Sequence, residues 1–523
     1  MKKLVLLMVA MVFVEMLFIQ PAVSAKNPYA GKKVIEFGFD IPSTEYVRKN
    51  IRQMEKYAFD GVTLSDGHGW RSWSRNKLDP KEYEATINNL KATEFKRFTD
   101  NFIPLTSYFP PKEEAVDWFD PEWSSIAYNA GLMARAAKEG GLKGILFDAE
   151  QYGDVKMWDY DEAKKARPFE EYRAKAKERG REFMTAINKE YPDITILVIW
   201  AYELPVLWDG PYGQRCYILL AAFLDGMCEA ATPGTNIVDG YEYGYGDIAR
   251  EKFQEGRKMV METAKNTVTT NREAFSKHVS IAFPVYPDHW DVSYTPIFYD
   301  KVEKNIMTPA MFRAAVANAL AETDKYVWVY TERIRWWDRT TPDAHATAPK
   351  EYIEALAAAR QGPGDVKVPK EISWMDYVVR DPFKGWKFTP EESSTLDLSG
   401  WHRANYDDSK WQTIDIGDPN VPAVKGNALY RIKLDVPKVT PGKRSYLSIG
   451  TTADKIYVWL SGRYVGMHDM DPKVDGTWKF FSIEVTDQLK PGEQNVLAVR
   501  TYSKDKAGGL TKPSNIMSVE YTW

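Results

Sequence analysis

The segment GLKGILFDAEQYG, residues 141–153, runs an apolar stretch straight into Asp148 and Glu150, with the phenol of Tyr152 just beyond. Side chains alternate sides along a strand, so Asp148 and Glu150 face the same way. Two neighbouring carboxylates cannot both ionise cheaply in a closed site; one is expected to keep its proton near neutral pH, as a general acid must. Glu150, nearer the rim, is expected to be the acid/base, and Asp148, deeper, to orient or bias it electrostatically. The competing reading makes Asp148 part of a structural ion pair and Glu150 a solvated surface group.

Displacement chemistry needs a second carboxylate. Glu332, in YVWVYTERIRWW, stands before a loop rich in Arg and Trp, where a cation can keep the acid ionised; it is expected to be the nucleophile. Glu242, in GYEYGYGD, is its rival, ringed by Tyr and by glycines that allow close ligand approach. A separate alternative makes Asp148 or Glu150 the nucleophile and Glu242 the acid. Carboxyl groups about 5 Å apart retain the configuration of a displaced centre, and a wider gap admits a water and inverts it.

These residues gain meaning from the elements that hold them. Short β-branched and aromatic runs at 32–40, 59–66, 102–109, 143–152, 194–202, 236–246, 278–287 and 325–334 alternate with helical patterns such as PEWSSIAYNAGLMARAAKEGG and TPAMFRAAVANALAETD. Eight strands with intervening helices predict an α/β fold, a (β/α)8 TIM barrel, whose site forms at the C-terminal ends of the strands. Those ends deliver further polar and aromatic groups expected to bind substrate: Asp40, Asp66, His68, Tyr108, Tyr152, Trp200, Tyr202, Glu203, Tyr241, Tyr286, Asp288, Trp336 and Trp337.

Residues 361–371, in RQGPGDVKVPKE, break the pattern with Gly and Pro and read as a linker after a barrel spanning 26–360. From 372 to 523 only short alternating runs separated by turns such as SGR and PGEQ follow, predicting an antiparallel β-sandwich. At 523 residues, two or three domains are expected. Residues 1–25, with Lys2, Lys3, an apolar run and AVSA before Lys26, read as a cleavable leader, which predicts a secreted or periplasmic protein with no membrane attachment after cleavage.

A net charge of −4 with no cluster of Lys and Arg argues against a nucleic-acid partner. The aromatic share of 14%, with 18 Trp and 30 Tyr, suits either sugar-stacking faces or a large β-rich core. Cys216 and Cys228 are expected to be buried and reduced. The 6 His (His68, His278, His289, His345, His402, His468) have no paired spacing, so no metal is predicted, and no phosphate loop, dinucleotide fingerprint or nucleophile elbow calls for a cofactor.

The stretch from 384 onward, with GWHRANYDDSKWQTIDIG, ALYRIKLDVP, DKIYVWLSGRYVGMHD and GTWKFFSIEVTDQLKPGEQNVLAVR, resembles the jelly-roll, galactose-binding-like domain of family 2 glycoside hydrolases. That resemblance implies a carbohydrate enzyme, with the sandwich buttressing a catalytic barrel. The barrel is similar to glycosidase barrels. Glu150 on the fourth strand matches the acid/base of the large retaining clan, although Ala149 replaces that clan's Asn and FPVYPDHW on the seventh strand offers no matching Glu. FDAE also resembles the end of the family 18 chitinase signature, with Lys143 and Leu146 where its first two acids belong. The expectation is a secreted glycoside hydrolase that cleaves oligo- or polysaccharide by a retaining two-carboxylate mechanism, without a cofactor. The alternatives are an α-glycosidase-like arrangement and a non-catalytic carbohydrate-binding protein; sequence leaves the oligomeric state open.

Overall fold

A computed structural model describes residues 29–109, 115–152, 155–161, 166–208, 216–288, 298–337, 347–379, 384–391, 400–416, 421–436, 443–469 and 480–522. The expected leader, His289 and His345 lie outside them.

The first part of the chain is α/β. Its strands are β1 (Lys33–Gly38), β2 (Gly61–Val62), β3 (Phe102–Thr106), β4 (Gly144–Asp148), β5 (Thr195–Val198), β6 (Asn236–Asp239), β7 (Val279–Ile281), β8 (Phe283–Val285) and β9 (Tyr326–Thr331). All are parallel and almost wholly buried, which is why they read as continuous apolar runs. In place of one continuous eight-stranded ring, the pairing gives a four-stranded sheet, β2-β1-β9-β8, and a five-stranded sheet, β3-β4-β5-β6-β7. Two features divide them. β2 is two residues long and meets β3 only through the parallel bridge Thr63–Phe102. The expected seventh strand is broken at Ala282, so that β7 pairs with β6 and β8 with β9.

Helices return between the strands, the longest being Trp123–Glu139, Phe169–Glu190, Ile218–Ala230 and Pro309–Glu322. Thr308 caps the last of these by accepting the Met311 N–H at 3.3 Å, with Pro309 in the first turn where a missing N–H costs nothing. Gly180 and Gly226 let two helices approach closely: a Cβ on Gly180 would overlap the carbonyl oxygen of Phe223, and one on Gly226 that of Lys177.

Much of the aromatic excess is structural. Trp73, Trp118, Trp123, Trp158, Trp328, Trp336, Trp337, Trp386 and Trp401 are among the largest fully buried side chains. Cys216 and Cys228 are free thiols, and burial pushes the Cys228 thiol up to about 12.

Residues 360–370 contain no helix or strand. Beyond them lie two antiparallel sheets. One joins β10 (Glu371–Val379), β19 (Leu510–Thr522), β14 (Arg444–Thr451) and β17 (Phe480–Glu484); the other joins β12 (Gln412–Ile414), β11 (Trp386–Glu391), β13 (Val424–Asp435), β18 (Gln494–Gly508), β15 (Lys455–Leu460) and β16 (Arg463–Asp469). Leu447, Ile449 and Ile516 of the first share an apolar core with Trp386, Tyr430 and Val499 of the second. Ile372, Tyr446 and Val519 belong to the core of the α/β part, and the Tyr521 hydroxyl donates to the Ile306 carbonyl at 3.2 Å, so the two parts are packed together. Among the described residues no helix is long and apolar enough to cross a membrane.

Candidate active site

β4 ends at Asp148, and the chain folds back on this carboxylate. Oδ1 accepts the Glu150 N–H at 2.9 Å and Oδ2 accepts the Tyr152 hydroxyl at 3.0 Å. Burial pushes the Asp148 carboxyl up to about 7, with the Glu150 charge adding to the rise and these two hydrogen bonds opposing it. The acid raised on this strand is therefore the deeper residue, where sequence reasoning placed the acid role on Glu150. Glu150 is only partly buried.

Glu242 does not continue β6. That strand stops at Asp239, whose carboxylate accepts the N–H groups of Tyr202 at 3.0 Å and Tyr241 at 3.1 Å. Tyr241 takes a left-handed conformation, φ 47°, and Glu242 opens a 3-10 turn, its N–H donating to the Ile199 carbonyl at 3.2 Å. The turn swings the glutamate across β5 towards β4. Burial holds the Glu242 carboxyl well above the usual carboxylate range; a hydrogen bond from Tyr245 opposes this, and the charges of Asp148 and Glu150 reinforce it. Glu242 is 6% exposed, and among the described residues its Oε2 has no hydrogen-bond partner.

Glu332 follows the end of β9. Burial lifts its carboxyl to about 6, against a hydrogen bond from Tyr286; the Asp288 charge adds to the rise, while Arg333 and the Tyr330 hydroxyl, 3.4 Å from Oε1, oppose it. Tyr330 marks where the three strand ends meet. After burial, the influences that raise its phenol are the charges of Glu332, Glu242, Asp148 and Asp288. Its ring packs on Tyr286 at 4.8 Å, Tyr245 at 5.3 Å and Phe37 at 5.4 Å. Three tyrosines that touch one another thus carry hydroxyls to Glu242 and Glu332.

No family model and no curated protein sequence matches the chain. Among solved structures it is similar to a glycosyl hydrolase family 2 member from Bacteroides cellulosilyticus, at 18% identity over 27% of this chain and 20% of that one, with a TM-score of 0.22. It is also similar to a β-glucuronidase from Faecalibacterium prausnitzii, at 16% identity over 28% of this chain and 32% of that one, TM-score 0.23. A β-glycosidase from Bacteroides vulgatus gives 20% identity over 27% of this chain and 20% of that one, TM-score 0.21. The chain spans no more than about a third of the length of these structures.

Other expected site residues divide into two groups. Tyr152, Tyr108, Trp200 and Tyr286 lie with the carboxylates: Tyr152 through Asp148, Tyr108 through its ring contact with Tyr152 at 6.4 Å, Tyr286 through Glu332, and Trp200 by stacking on Tyr217 at 6.4 Å. The Tyr217 hydroxyl in turn accepts the Gln151 N–H at 2.9 Å.

The rest serve the scaffold. Trp336 and Trp337 are not sugar platforms but core residues, 0% and 2% exposed, packed on Phe59 at 5.1 and 5.9 Å. Asp40 accepts the N–H groups of Trp336 at 2.6 Å and Trp337 at 2.9 Å, and Asp288 those of Arg333 and Ile334, both at 2.7 Å; these two acids hold the loop after β9. Tyr202 points away from the carboxylates, its hydroxyl donating to Asp225 at 3.1 Å. Glu203 is fully buried beside Asp239, and burial, with the Asp239 charge, holds its carboxyl well above the usual carboxylate range. Tyr241 packs on Phe283 at 5.7 Å. His68 lies against Tyr83, ring centroids 4.7 Å apart, and Asp66, its carboxyl raised to about 6 by burial, accepts the His68 N–H at 2.8 Å. Among the described residues no group of His, Cys, Asp and Glu could hold a metal ion.

Sequence reasoning missed Tyr217, Tyr245 and Tyr330. For Tyr330 a signal was present: it stands two residues before Glu332, and the alternation that pairs Asp148 with Glu150 also puts Tyr330 and Glu332 on one side.

Proposed function

We propose that this protein is a glycoside hydrolase acting on oligo- or polysaccharide. In this reading the two parallel sheets are parts of a single (β/α)8 barrel. The bridge Thr63–Phe102 and the short stretch 279–285, which carries β7 and β8 on either side of Ala282, support that closure. The antiparallel sheets form a sandwich that buttresses it, and the leader-like first 25 residues support a reaction outside the cytoplasm.

One observation carries the catalytic reading. Glu242 is a buried acid with an oxygen open to a partner, and burial, reinforced by the charges of Asp148 and Glu150, holds its carboxyl well above the usual carboxylate range. A carboxyl raised in this way beside a second, partly exposed one is the arrangement that glycoside cleavage requires. Glu242 protonates the departing glycosidic oxygen while the Glu150 carboxylate attacks the anomeric carbon. The C–O bond to the leaving group breaks as the glycosyl ester forms. Glu242, now ionised, takes a proton from water, whose oxygen displaces Glu150 and restores both groups. Asp148 holds the backbone of Glu150 through the N–H it accepts.

The assignment with Glu332 as nucleophile and Glu150 as acid remains a second reading, favoured by the two tyrosine hydroxyls that stabilise a Glu332 carboxylate. Azide separates the two. With aryl glycosides, azide should rescue Glu150→Ala to a glycosyl azide of opposite anomeric configuration to the substrate, and Glu242→Ala to one of the same configuration. Inverted azide from Glu332→Ala would establish the second reading. Absence of turnover by the wild-type protein on a broad glycoside and polysaccharide panel would overturn the hydrolase.

A further inference from the structure

Trp70 is an exception among the buried tryptophans. It is 52% exposed, and no other Trp is exposed among the described residues. An indole leaves apolar surface in water at a cost of about 25 cal/mol per Å², so a rigidly held open one calls for an occupant. Trp70 is rigidly held. It sits in the turn Gly69–Arg71, where the Arg71 N–H donates to the His68 carbonyl at 2.8 Å and the Ser72 hydroxyl to the Gly69 carbonyl at 2.9 Å. A Cβ on Gly69 would lie 2.7 Å from the Pro104 carbonyl oxygen, so the turn is seated directly on β3. Asp66 and His68, expected to touch substrate, instead anchor this turn from its N-terminal side.

The indole also adjoins the carboxylates. Its ring centroid lies 5.0 Å from that of Tyr152, whose hydroxyl donates to Asp148, and 5.4 Å from that of Tyr108, which meets it nearly edge-on. One phenol therefore separates an open, pre-set aromatic surface from the acids.

We propose that Trp70 is the platform for a sugar ring adjoining the one that reacts, so that the substrate is an oligosaccharide or polysaccharide rather than a simple glycoside. This rests on the hydrolase reading above. The apolar C–H face of a pyranose covers an indole while its hydroxyls stay in water, and the surface is continuous with the place where bond cleavage is assigned. A held Trp gives this contact without ordering cost on the protein side.

The test compares kcat/KM on tetrasaccharides (cellotetraose, laminaritetraose, xylotetraose, mannotetraose) with kcat/KM on 4-nitrophenyl glycosides of the same sugars. Trp70→Ala should lower the tetrasaccharide-to-aryl ratio by about 10- to 30-fold, the scale of an anchoring aromatic contact. Trp70→Phe should recover most of it, and Tyr128→Ala, an exposed aromatic on the helix Trp123–Glu139, should leave it unchanged. A ratio in Trp70→Ala within about twofold of wild type overturns the proposal, as does a larger loss on the aryl glycoside, which would make Trp70 a pocket for an aromatic leaving group. If the wild-type protein turns over none of these compounds, the broad panel above decides the hydrolase reading separately, and calorimetric titration with the same tetrasaccharides decides the subsite. Weaker binding by Trp70→Ala sustains it; equal or absent binding overturns it.

Discussion

Asp148→Asn should stabilise the protein at neutral pH. The Asp148 carboxyl moves from 3.8 in the unfolded chain to about 7 in the folded one, driven first by burial. A shift of roughly three units corresponds to about 4 kcal/mol between the two protonation states. Below pH 3.8 both folded and unfolded chains hold the proton and no penalty exists. Between 3.8 and about 7 the unfolded chain ionises first, so wild-type stability falls by about 1.4 kcal/mol per pH unit, and above about 7 the loss is complete. Asn never ionises. Its carbonyl can accept the Glu150 N–H, and its amide can donate to the Tyr152 oxygen if the hydroxyl turns, so neither contact needs to be lost. Local relaxation and water entry reduce the full figure, leaving an expected gain of about 1–3 kcal/mol at pH 8, or a rise in Tm of roughly 1–4 °C, shrinking to nothing near pH 4. Differential scanning calorimetry of both proteins from pH 4 to 8 measures this. A variant less stable than wild type by the same margin at every pH would show that Asp148 carries no charge penalty and is an ordinary hydrogen-bond acceptor.

Glu242→Gln should lower kcat on glycosides with poor leaving groups by about 10²- to 10⁴-fold, the contribution of a general acid, with a smaller loss on activated aryl glycosides. Tyr330→Phe removes a hydroxyl that holds the Glu332 carboxyl down, so in the reading with Glu332 as nucleophile the acid limb of kcat/KM against pH should move to higher pH, and in the reading with Glu150 as nucleophile it should stay in place. Trp336→Ala should cost about 3–5 kcal/mol of stability in thermal melts while KM, measured well below Tm, changes little; a large KM effect would restore Trp336 as a substrate contact. Gly180→Ala should destabilise by about 1–3 kcal/mol, because its Cβ drives the helices Phe169–Glu190 and Ile218–Ala230 apart at the Phe223 carbonyl.

The positions of the elements were legible because apolar periodicity is local. The runs at 102–109, 143–152 and 325–334 each contain the strand observed, trimmed at the ends where side chains leave the sheet. Alternation also put Asp148 and Glu150 on one side, and in the structure the first accepts the N–H of the second. It did not reveal that 236–246 turns at Asp239, since that turn depends on N–H groups of Tyr202 and Tyr241 meeting one carboxylate. Nor could it separate platform from core among tryptophans. Trp70 and Trp336 both follow strand ends in polar loops, yet one is open and the other is enclosed by Phe59 and Phe312.

By itself the sequence determined which residues form strands and which acids stand where strands end, because both follow from spacings of two to four residues along the chain. Only the tertiary structure decided which of those acids share one electrostatic neighbourhood and which keep a proton. That outcome depends on burial and on charges from β4, β6 and β9, segments more than ninety residues apart for β4 and β6 and nearly ninety for β6 and β9, whose carboxylates meet around Tyr330 only once the sheets have formed.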